Sequence, residues 1–319
     1  MSDTVSVVIP AHNAEATIRA AIESVMSQSS GPLEVIVVDD GSTDATARVA
    51  SDAAGSIAGA GGRSVPVRVV TQQQGGPSRA RNRGIDAARG SWIGFLDADD
   101  RWHPRKLEWQ LGMAAQHPEA VVVAADWVRE GESLVPEETG LPGCTAIGER
   151  DILILNRFQT STALCRRDAL RRLGGFDPSL DGVEDWDMWL RLAGVGKVIK
   201  LERPLVIYRD SSDGYSKDLP RVYSTMLVML DRESIRRPLP LAQSPGLRPV
   251  GAPAIPGVEA VSCWHHLRFV VAFVLVRDWS STARVLAEMR RRSMLRWVPK
   301  ATVLYLAPFL WRRLVRRLR

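Results

Sequence analysis

Residues 5–40 read VSVVIPAHNAEATIRAAIESVMSQSSGPLEVIVVDD. Two short apolar runs, Val5–Ile9 and Leu33–Val38, begin and end this stretch, and each predicts a strand buried on both faces. Between them, Ala14–Ser27 has apolar residues at helical spacing: Ile18, Ala21, Ile22 and Val25. A strand, a helix and a strand in this order predict a right-handed βαβ unit with parallel strands.

The same alternation continues along the chain. Further strands are predicted at Val65–Val70, Trp92–Leu96, Val121–Ala125 and Lys197–Val206, and further helices at Thr43–Ala50, Ser78–Ala88, Asp168–Leu173 and Glu184–Ala193. The predicted fold class is therefore α/β, with a Rossmann-like, mainly parallel sheet flanked by helices. In such sheets ligands bind beyond the carboxyl ends of the strands.

Polar residues follow the predicted strands at that edge. The first strand leads to His12 and Asn13, the second to Asp39, and the fourth to an Asp97-Ala98-Asp99-Asp100 turn. Three carboxylates in four residues repel one another and are costly to bury without a cation. Mg²⁺ and Mn²⁺ prefer oxygen ligands, so the turn indicates a metal–nucleotide site; the alternative is a solvated acidic turn.

Two other segments carry candidate chemistry. Gly75 and Gly76 allow close backbone approach, and Arg79 and Arg81 follow them where a diphosphate would be bound. No GxGxxG sequence follows a predicted strand, which disfavours an NAD-dependent enzyme.

The segment Glu184-Asp185-Trp186-Asp187 opens a predicted helix. One of its carboxylates can act as a general base toward a hydroxyl; the alternative is complementation of the helix dipole. A helix N-terminus lowers a carboxyl pKa, whereas burial and a neighbouring acid raise it, and sequence leaves the outcome open. Trp186 and Trp189 are either a sugar-stacking wall or core residues, and core is favoured for Trp189.

Four segments, in order over residues 4–210, resemble the inverting family 2 glycosyltransferases of GT-A fold, of the bacterial surface-polysaccharide type. They are VSVVIPAHNAEATIRAAIESVMSQ, EVIVVDDGSTDAT, GPSRARNRGIDAARGSWIGFLDADD and GGFDPSLDGVEDWDMWLRLA. The resemblance implies a nucleotide-sugar donor bound at the carboxyl edge of the sheet, with Mg²⁺ or Mn²⁺ as cofactor.

The resemblance also implies roles for individual residues. The donor base and ribose would be bound by Pro10, His12, Asn13 and Asp39, the diphosphate by Arg81, the ribose and metal by Asp97, and the metal by Asp99. Asp185 is similar to the family's general base, with Glu184 beside it and Trp186 toward the acceptor. The base would deprotonate an acceptor hydroxyl that displaces the nucleoside diphosphate with inversion; UDP- and dTDP-sugars are the favoured donors.

This sequence departs from the family pattern at two places. The family usually has Tyr where this chain has His12, so base stacking is expected to differ. Many members have Tyr-Arg-x-His near the end of the catalytic domain, whereas this chain has Tyr208-Arg209-Asp210-Ser211. This chain therefore has a serine hydroxyl where those members have an imidazole.

Two alternative functions compete with sugar transfer. A sugar-phosphate nucleotidyltransferase would need a Gly-rich, basic loop after the first strand, which Pro10-Ala11-His12-Asn13 is not. A non-catalytic nucleotide-sugar-binding protein is disfavoured by the intact Asp97, Asp99 and Asp185.

Charge divides the 319 residues unevenly. The chain carries 42 basic and 36 acidic residues, but residues 264–319 carry 13 basic and 2 acidic ones. We predict a catalytic domain at 1–237, a Pro-rich linker at 238–262 and a basic, apolar helical tail at 263–319. Val298–Trp311 is shorter than the roughly 20 residues that span a bilayer, so an anionic membrane surface is the expected partner of 264–319. The alternative is a tail packed on the domain or in a dimer interface.

Localisation and remaining partners follow from simple features. The N-terminus has no basic segment followed by an apolar one, and the cysteines, Cys144, Cys165 and Cys263, form no disulfide or CxxC pattern. The sequence therefore predicts a cytoplasmic protein, peripheral on the inner face of the cell membrane. The expected acceptor is a lipid-linked or growing cell-surface glycan; no nucleic acid is expected, and the oligomeric state is left open.

Overall fold

A computed structural model describes residues 3–56, 64–132, 140–210, 217–236, 258–294 and 298–299. The strands are β1 (Val5–Ala11), β2 (Glu34–Asp40), β3 (Val67–Gln72), β4 (Trp92–Phe95), β5 (Arg101–Trp102), β6 (Ala120–Arg129), β7 (Cys144–Ile147), β8 (Leu164–Arg166) and β9 (Lys197–Tyr208). The helices among them are α1 (Ile18–Met26), α2 (Thr46–Ser56), α3 (Pro77–Ala87), α4 (Lys106–Gln116), α5 (Glu149–Ile154), α6 (Arg167–Arg172) and α7 (Glu184–Ala193).

The strands form one mixed sheet in the order β3-β2-β1-β4-β8-β6-β9-β5, with β7 on the side of β9. β1 pairs in parallel with β2 and β4, and β2 pairs in parallel with β3. β8 inserts antiparallel between β4 and β6, while β9 returns parallel to β6. β1–β4, β6 and β9 run in one direction and β5, β7 and β8 in the other, which confirms the predicted α/β class with a mainly parallel sheet.

Helix α3 packs directly on the centre of the sheet. A Cβ on Gly84 would lie 2.2 Å from Val8 Cγ1, so only glycine allows this approach of helix to strand. Val8 is fully buried in β1, and Trp92 and Phe95 of β4 are fully buried too. Close packing of α3 on β1 brings the helix start to the carboxyl edge of the sheet.

Some elements differ from the sequence predictions. Helix α1 begins at Ile18, four residues later than predicted, because the Ala14 N–H donates to the Thr46 hydroxyl instead of joining a helical turn. β7 lies at the end of the segment 130–145, which we predicted as loop. β5 and β8 have two and three residues, too few for a periodic pattern to reveal.

The chain divides into two compact units, Met1–Asp213 and Gly214–Arg319. Described parts of the second unit are the helices α8 (Leu219–Arg236), α9 (Val258–Leu275) and α10 (Trp279–Arg291). Helix α9 begins at Val258, so it overlaps the predicted linker 238–262 at residues 258–262. Apart from this overlap, the boundaries 1–237, 238–262 and 263–319 stay predictions.

None of the helices in the described part of the chain combines the length and apolar character that a membrane crossing requires. The predicted apolar segment Val298–Trp311 and the basic residues that follow it lie outside the described residues, apart from 298–299. Cys144, Cys165 and Cys263 are free thiols; Cys144 is half-buried and the other two are buried.

Candidate active site

Asp40, the last residue of β2, holds the loop between β3 and α3 against the sheet edge. Its carboxylate accepts the Gly75 and Gly76 N–H groups, each at 2.8 Å, and the Gln72 side-chain amide at 2.7 Å. Gly76 has φ 89°, a left-handed conformation that glycine adopts without strain. The buried carboxylate is fully engaged within the protein, so Asp40 builds the loop at the edge of the site.

Asp39, next to it, is a candidate binding group. The residue is buried, and its Oδ1 has no hydrogen-bond partner among the described residues. A buried carboxylate oxygen without a donor is costly, at about 1–3 kcal/mol or more for a charged group. A ligand N–H or O–H at this position would remove that cost, which fits the predicted contact with a nucleotide base.

His12 and Asn13, which follow β1, form hydrogen bonds to the end of β2 and to the loops after β2 and β3. The His12 ring places Nδ1 2.9 Å from the Asp40 carbonyl and Nε2 3.1 Å from the Gln74 amide nitrogen. Because a carbonyl only accepts, the proton lies on Nδ1 and Nε2 accepts from Gln74. Asn13 takes φ 48° and its side-chain oxygen accepts the Thr43 N–H at 2.9 Å. His12 and Asn13 are exposed, and Pro10 is half-buried where β1 pairs with β2.

Arg81 joins two acidic segments that are far apart in sequence. Its guanidinium donates to Glu184 Oε1 at 2.7 Å and to Asp97 Oδ1 at 2.9 Å, and lies 5.5 Å from the Phe176 ring centroid. These two carboxylates raise the pKa of the buried Arg81 above its already high ordinary value, despite desolvation. Arg81 therefore ties the end of β4 to the start of α7; it is not a free cation at the site surface.

The three aspartates after β4 have different surroundings. Asp100 is buried and accepts hydrogen bonds from the Ser161 hydroxyl and the Arg209 N–H. Asp97 and Asp99 are partly exposed. Burial, together with the charge of Asp97, raises the pKa of Asp99 to about 6. The Asp97–Asp99 pair therefore faces outward, and the third carboxylate is a structural group.

The outward pair is chemically suited to a hard divalent cation. The negative charge of Asp97 makes ionisation of Asp99 more costly, so a positive charge between the two side chains would be favourable. Within the described residues, no cluster of three or more His, Cys, Asp or Glu side chains has a metal-binding arrangement. Mg²⁺ is usually held by one or two carboxylates plus substrate phosphates, so Asp97 and Asp99 fit such an ion when a diphosphate completes its ligands.

Asp185 lies at the start of α7. Its Oδ2 accepts from Asn156 Nδ2 at 2.9 Å and, more weakly, from the Thr160 hydroxyl at 3.5 Å; its Oδ1 accepts the Trp186 N–H at 2.6 Å. Burial and the neighbouring Glu184 raise its pKa to about 6, although these hydrogen bonds and Arg81 act in the opposite direction. The effects of burial and of Glu184 on the pKa of Asp185 therefore outweigh the effect of the helix N-terminus, which the sequence alone did not decide.

Trp186 and Trp189 both belong to the core. Trp186 is 8% exposed and its indole N–H donates to the Ile152 carbonyl. Trp189 is fully buried, with ring centroids 4.9 Å from Phe158 and 6.1 Å from Phe176. This placement favours the core alternative for both residues, so Trp186 does not present an open sugar-stacking face.

Sequence reasoning missed two residues that shape the site. The Ser161 hydroxyl accepts the Asp97 N–H at 3.0 Å and donates to Asp100, and Asn156 holds Asp185. Both residues lie in the segment between α5 and β8, 29 to 64 positions from their partners, so no local pattern links them. Ser211, in place of the expected histidine, lies outside the described residues.

The comparisons with known proteins agree with this geometry. The family model described as "Glycosyl transferase family 2" matches residues 6–174. The uncharacterized glycosyltransferase EpsJ of Bacillus subtilis is 41% identical over 100 residues, covering 31% of this chain and 27% of EpsJ. The amylovoran biosynthesis glycosyltransferase AmsB of Erwinia amylovora is 30% identical over 218 residues, covering 64% of this chain and 68% of AmsB. The chain thus spans about a quarter of EpsJ and about two thirds of AmsB.

Solved structures share the fold. The mannosyltransferase PcManGT from Pyrobaculum calidifontis, in complex with GDP-Man and Mn²⁺, aligns with a TM-score of 0.59 at 19% identity, covering 97% of this chain and 87% of that one. Staphylococcus aureus TarS 1–349, in complex with UDP-GlcNAc, aligns with a TM-score of 0.58 at 19% identity, covering 72% and 66%. The α/β architecture is therefore the GT-A arrangement of these neighbours.

Proposed function

The chain belongs to glycosyl transferase family 2, and we propose that it transfers a sugar from a nucleoside-diphosphate sugar to an acceptor hydroxyl with inversion. One observation carries the proposal: Arg81 ties the outward aspartate pair after β4 to the helix that bears Asp185. A donor-binding element and a candidate base are thereby held in one hydrogen-bonded framework, as a direct displacement requires.

In this proposal the donor lies at the carboxyl edge of the sheet. The unpartnered Asp39 oxygen receives an N–H of the base, and His12, Asn13 and Pro10 line the base and ribose. UDP- and dTDP-sugars are the favoured donors. Both terminal nitrogens of Arg81 already bind carboxylates, so Arg81 holds Asp97 at the donor edge and does not itself bind the diphosphate.

Asp97 and Asp99 would hold Mg²⁺ or Mn²⁺. When bound, such an ion supplies positive charge that stabilises the departing nucleoside diphosphate. The raised pKa of Asp99 supports this assignment, since two neighbouring carboxylates are favoured in ionised form by a cation.

Asp185 is the proposed general base. A carboxyl with a pKa of about 6 is mostly ionised at neutral pH and is a stronger base than an ordinary aspartate. The acceptor O–H proton passes to the Asp185 carboxylate while the oxygen forms the new bond to the anomeric carbon. The bond to the diphosphate oxygen breaks on the opposite face, so the configuration inverts. Glu184 neutralises Arg81 and orients the helix start.

The proposed acceptor is a lipid-linked or growing cell-surface glycan, at the cytoplasmic face of the membrane. AmsB is described as an amylovoran biosynthesis glycosyltransferase, which supports a polysaccharide product. The corner between α9 and α10 supports membrane contact, since Leu275, Val276 and Trp279 are 77%, 61% and 64% exposed beside the exposed Arg277. Apolar side chains with arginine suit the interface of an anionic leaflet.

Donor binding is tested first by thermal unfolding of the full-length protein with UDP, dTDP, GDP and CMP, each with and without Mn²⁺. A ligand at 100 times its dissociation constant adds about 2.7 kcal/mol to stability. We expect metal-dependent stabilisation by one nucleotide, and its loss in Asp99→Asn. Stabilisation without sugar transfer to any glycan acceptor would favour a non-catalytic nucleotide-sugar-binding protein.

Membrane contact is tested by sedimentation with vesicles containing anionic phosphatidylglycerol. Leu275→Glu/Trp279→Glu is expected to reduce binding, whereas Leu33→Glu, at an exposed apolar position 40% accessible in the first unit, is the matched control. Equal binding of both variants and the unmodified protein would contradict a role for this corner.

A further inference from the structure

Asn156 follows α5 and lies against the proposed base. Its Nδ2 donates to Asp185 Oδ2 at 2.9 Å, and the Thr160 hydroxyl reaches the same oxygen at 3.5 Å. The other oxygen, Oδ1, accepts the Trp186 N–H at 2.6 Å. The carboxylate is therefore contacted by one side-chain amide, one hydroxyl and one backbone amide.

The other end of Asn156 is unsatisfied. Its Oδ1 is buried and has no hydrogen-bond partner among the described residues. The amide cannot be reversed without turning this oxygen toward the Asp185 carboxylate, which would bring two acceptors together. An amide with one buried end unpaired contributes poorly to stability. The arrangement indicates that this amide is present for its contact with Asp185.

Lone pairs on Asp185 then distinguish its two oxygens. Each carboxylate oxygen has about two acceptor sites. On Oδ2 both sites face donors, Asn156 and Thr160, whereas among the described residues Oδ1 has one donor, the Trp186 N–H. The remaining site on Oδ1 is the one available to an incoming hydroxyl.

We propose that Asn156 is a positioning residue for proton transfer: it fixes the Asp185 carboxylate so that Oδ1 receives the acceptor hydroxyl proton. The inference rests on the proposed function of Asp185 as base. Thr160 supports the same orientation from the second site on Oδ2.

The first test needs neither donor nor acceptor. The titration of the Asp185 carboxyl is followed by ¹³C NMR in full-length protein, with Asp185→Asn to assign the signal. Removing a hydrogen bond to the charged form favours the protonated form, so Asn156→Leu is expected to raise the titration midpoint by about one pH unit. Asn156→Ser, which is smaller and polar, is the second variant if the leucine variant does not fold.

The matched control is Gln28→Leu, which removes a buried amide with both ends bonded. Gln28 donates to the His103 carbonyl at 2.7 Å and accepts the Leu107 N–H at 3.0 Å, away from Asp185. We expect this variant to lower the melting temperature more than Asn156→Leu does, and to leave the Asp185 midpoint unchanged.

The second test is kinetic, with nucleotide release from UDP-GlcNAc and GDP-Man as the readout. We expect Asn156→Leu to lower kcat by roughly 10- to 100-fold with little change in KM for the donor, and to shift the acidic limb of the pH profile upward. An unchanged NMR midpoint in both Asn156 variants would overturn the inference. A shifted midpoint in a protein that releases no nucleotide would support the Asn156 contact and would count against transfer from these two donors.

Discussion

Replacing Arg81 with methionine tests the framework that joins the donor edge to the base helix. The substitution keeps most of the side-chain volume but removes the charge that pairs with Glu184 and Asp97. Glu184 is buried, with its other oxygen accepting the Gly182 N–H, so its carboxylate would lose a buried counter-ion. Asp97 is partly exposed, at 33% of its side chain, and water can replace the lost contact there.

The expected loss of stability comes from the Arg81–Glu184 ion pair, in which both side chains are buried. Breaking a buried ion pair by removing one partner costs about 3–5 kcal/mol. For a unit of about 200 residues, 1 kcal/mol corresponds to about 2–4 °C, so we expect the melting temperature of Arg81→Met to fall by about 6–20 °C. The matched control, Arg19→Met, breaks a pair whose side chains are 47% and 50% exposed and is expected to cost at most about 0.5 kcal/mol.

A double-mutant cycle separates the energy of the Arg81–Glu184 ion pair from the effect of changed packing around residue 81. Thermal unfolding is measured for Arg81→Met, Glu184→Gln and the double variant at pH 7.5. We expect the double variant to be more stable than Arg81→Met alone, because no buried carboxylate then lacks a counter-ion. The reasoning is refuted if Arg81→Met unfolds within 2 °C of the unmodified protein, or if the two substitutions are additive.

Three further outcomes are expected. Asp185→Asn is expected to abolish transfer. In the unmodified protein we expect kcat to fall as the pH drops below about 6, because protonation of Asp185 removes the base. A kcat that is independent of pH from 5 to 8 would contradict this. Asp99→Asn is expected to raise the melting temperature at pH 8 more than at pH 5. Because the folded-state pKa of about 6 lies above the ordinary value of 3.8, the Asp99 carboxyl costs stability that develops as the pH rises from about 4 to about 6 and is complete above pH 6. Mn²⁺ with nucleotide is expected to stabilise the unmodified protein and not the variant. Asp40→Ala removes the carboxylate that accepts two backbone N–H groups of the Gly75–Gly76 loop. We expect it to lower the free energy of unfolding, measured with urea, by about 2–4 kcal/mol, and to weaken nucleotide binding, measured by titration. Unchanged nucleotide affinity would show that the loop is not part of the donor site.

Much of the fold could be predicted from local pattern. The apolar runs at Val5–Ile9 and Leu33–Val38 became β1 and β2, because a strand buried on both faces needs continuous apolar residues. Short elements could not be predicted, since two or three residues carry no period. β5 and β8 are of this kind, and together with the four-residue β7 they are the three described strands that run antiparallel to the other six.

For the candidate site, the sequence determined which residues carry chemistry, because carboxylates, glycines and an arginine directly follow strands or open helices. Their roles depended on contacts between distant positions, such as the 103 residues that separate Arg81 from Glu184. Only the tertiary structure turned Asp100 inward and Asp99 outward, buried Trp186, and placed Asn156 on Asp185. It also decided that the pKa of Asp185 rises, because desolvation depends on what packs around the carboxyl and not on its neighbours in the chain.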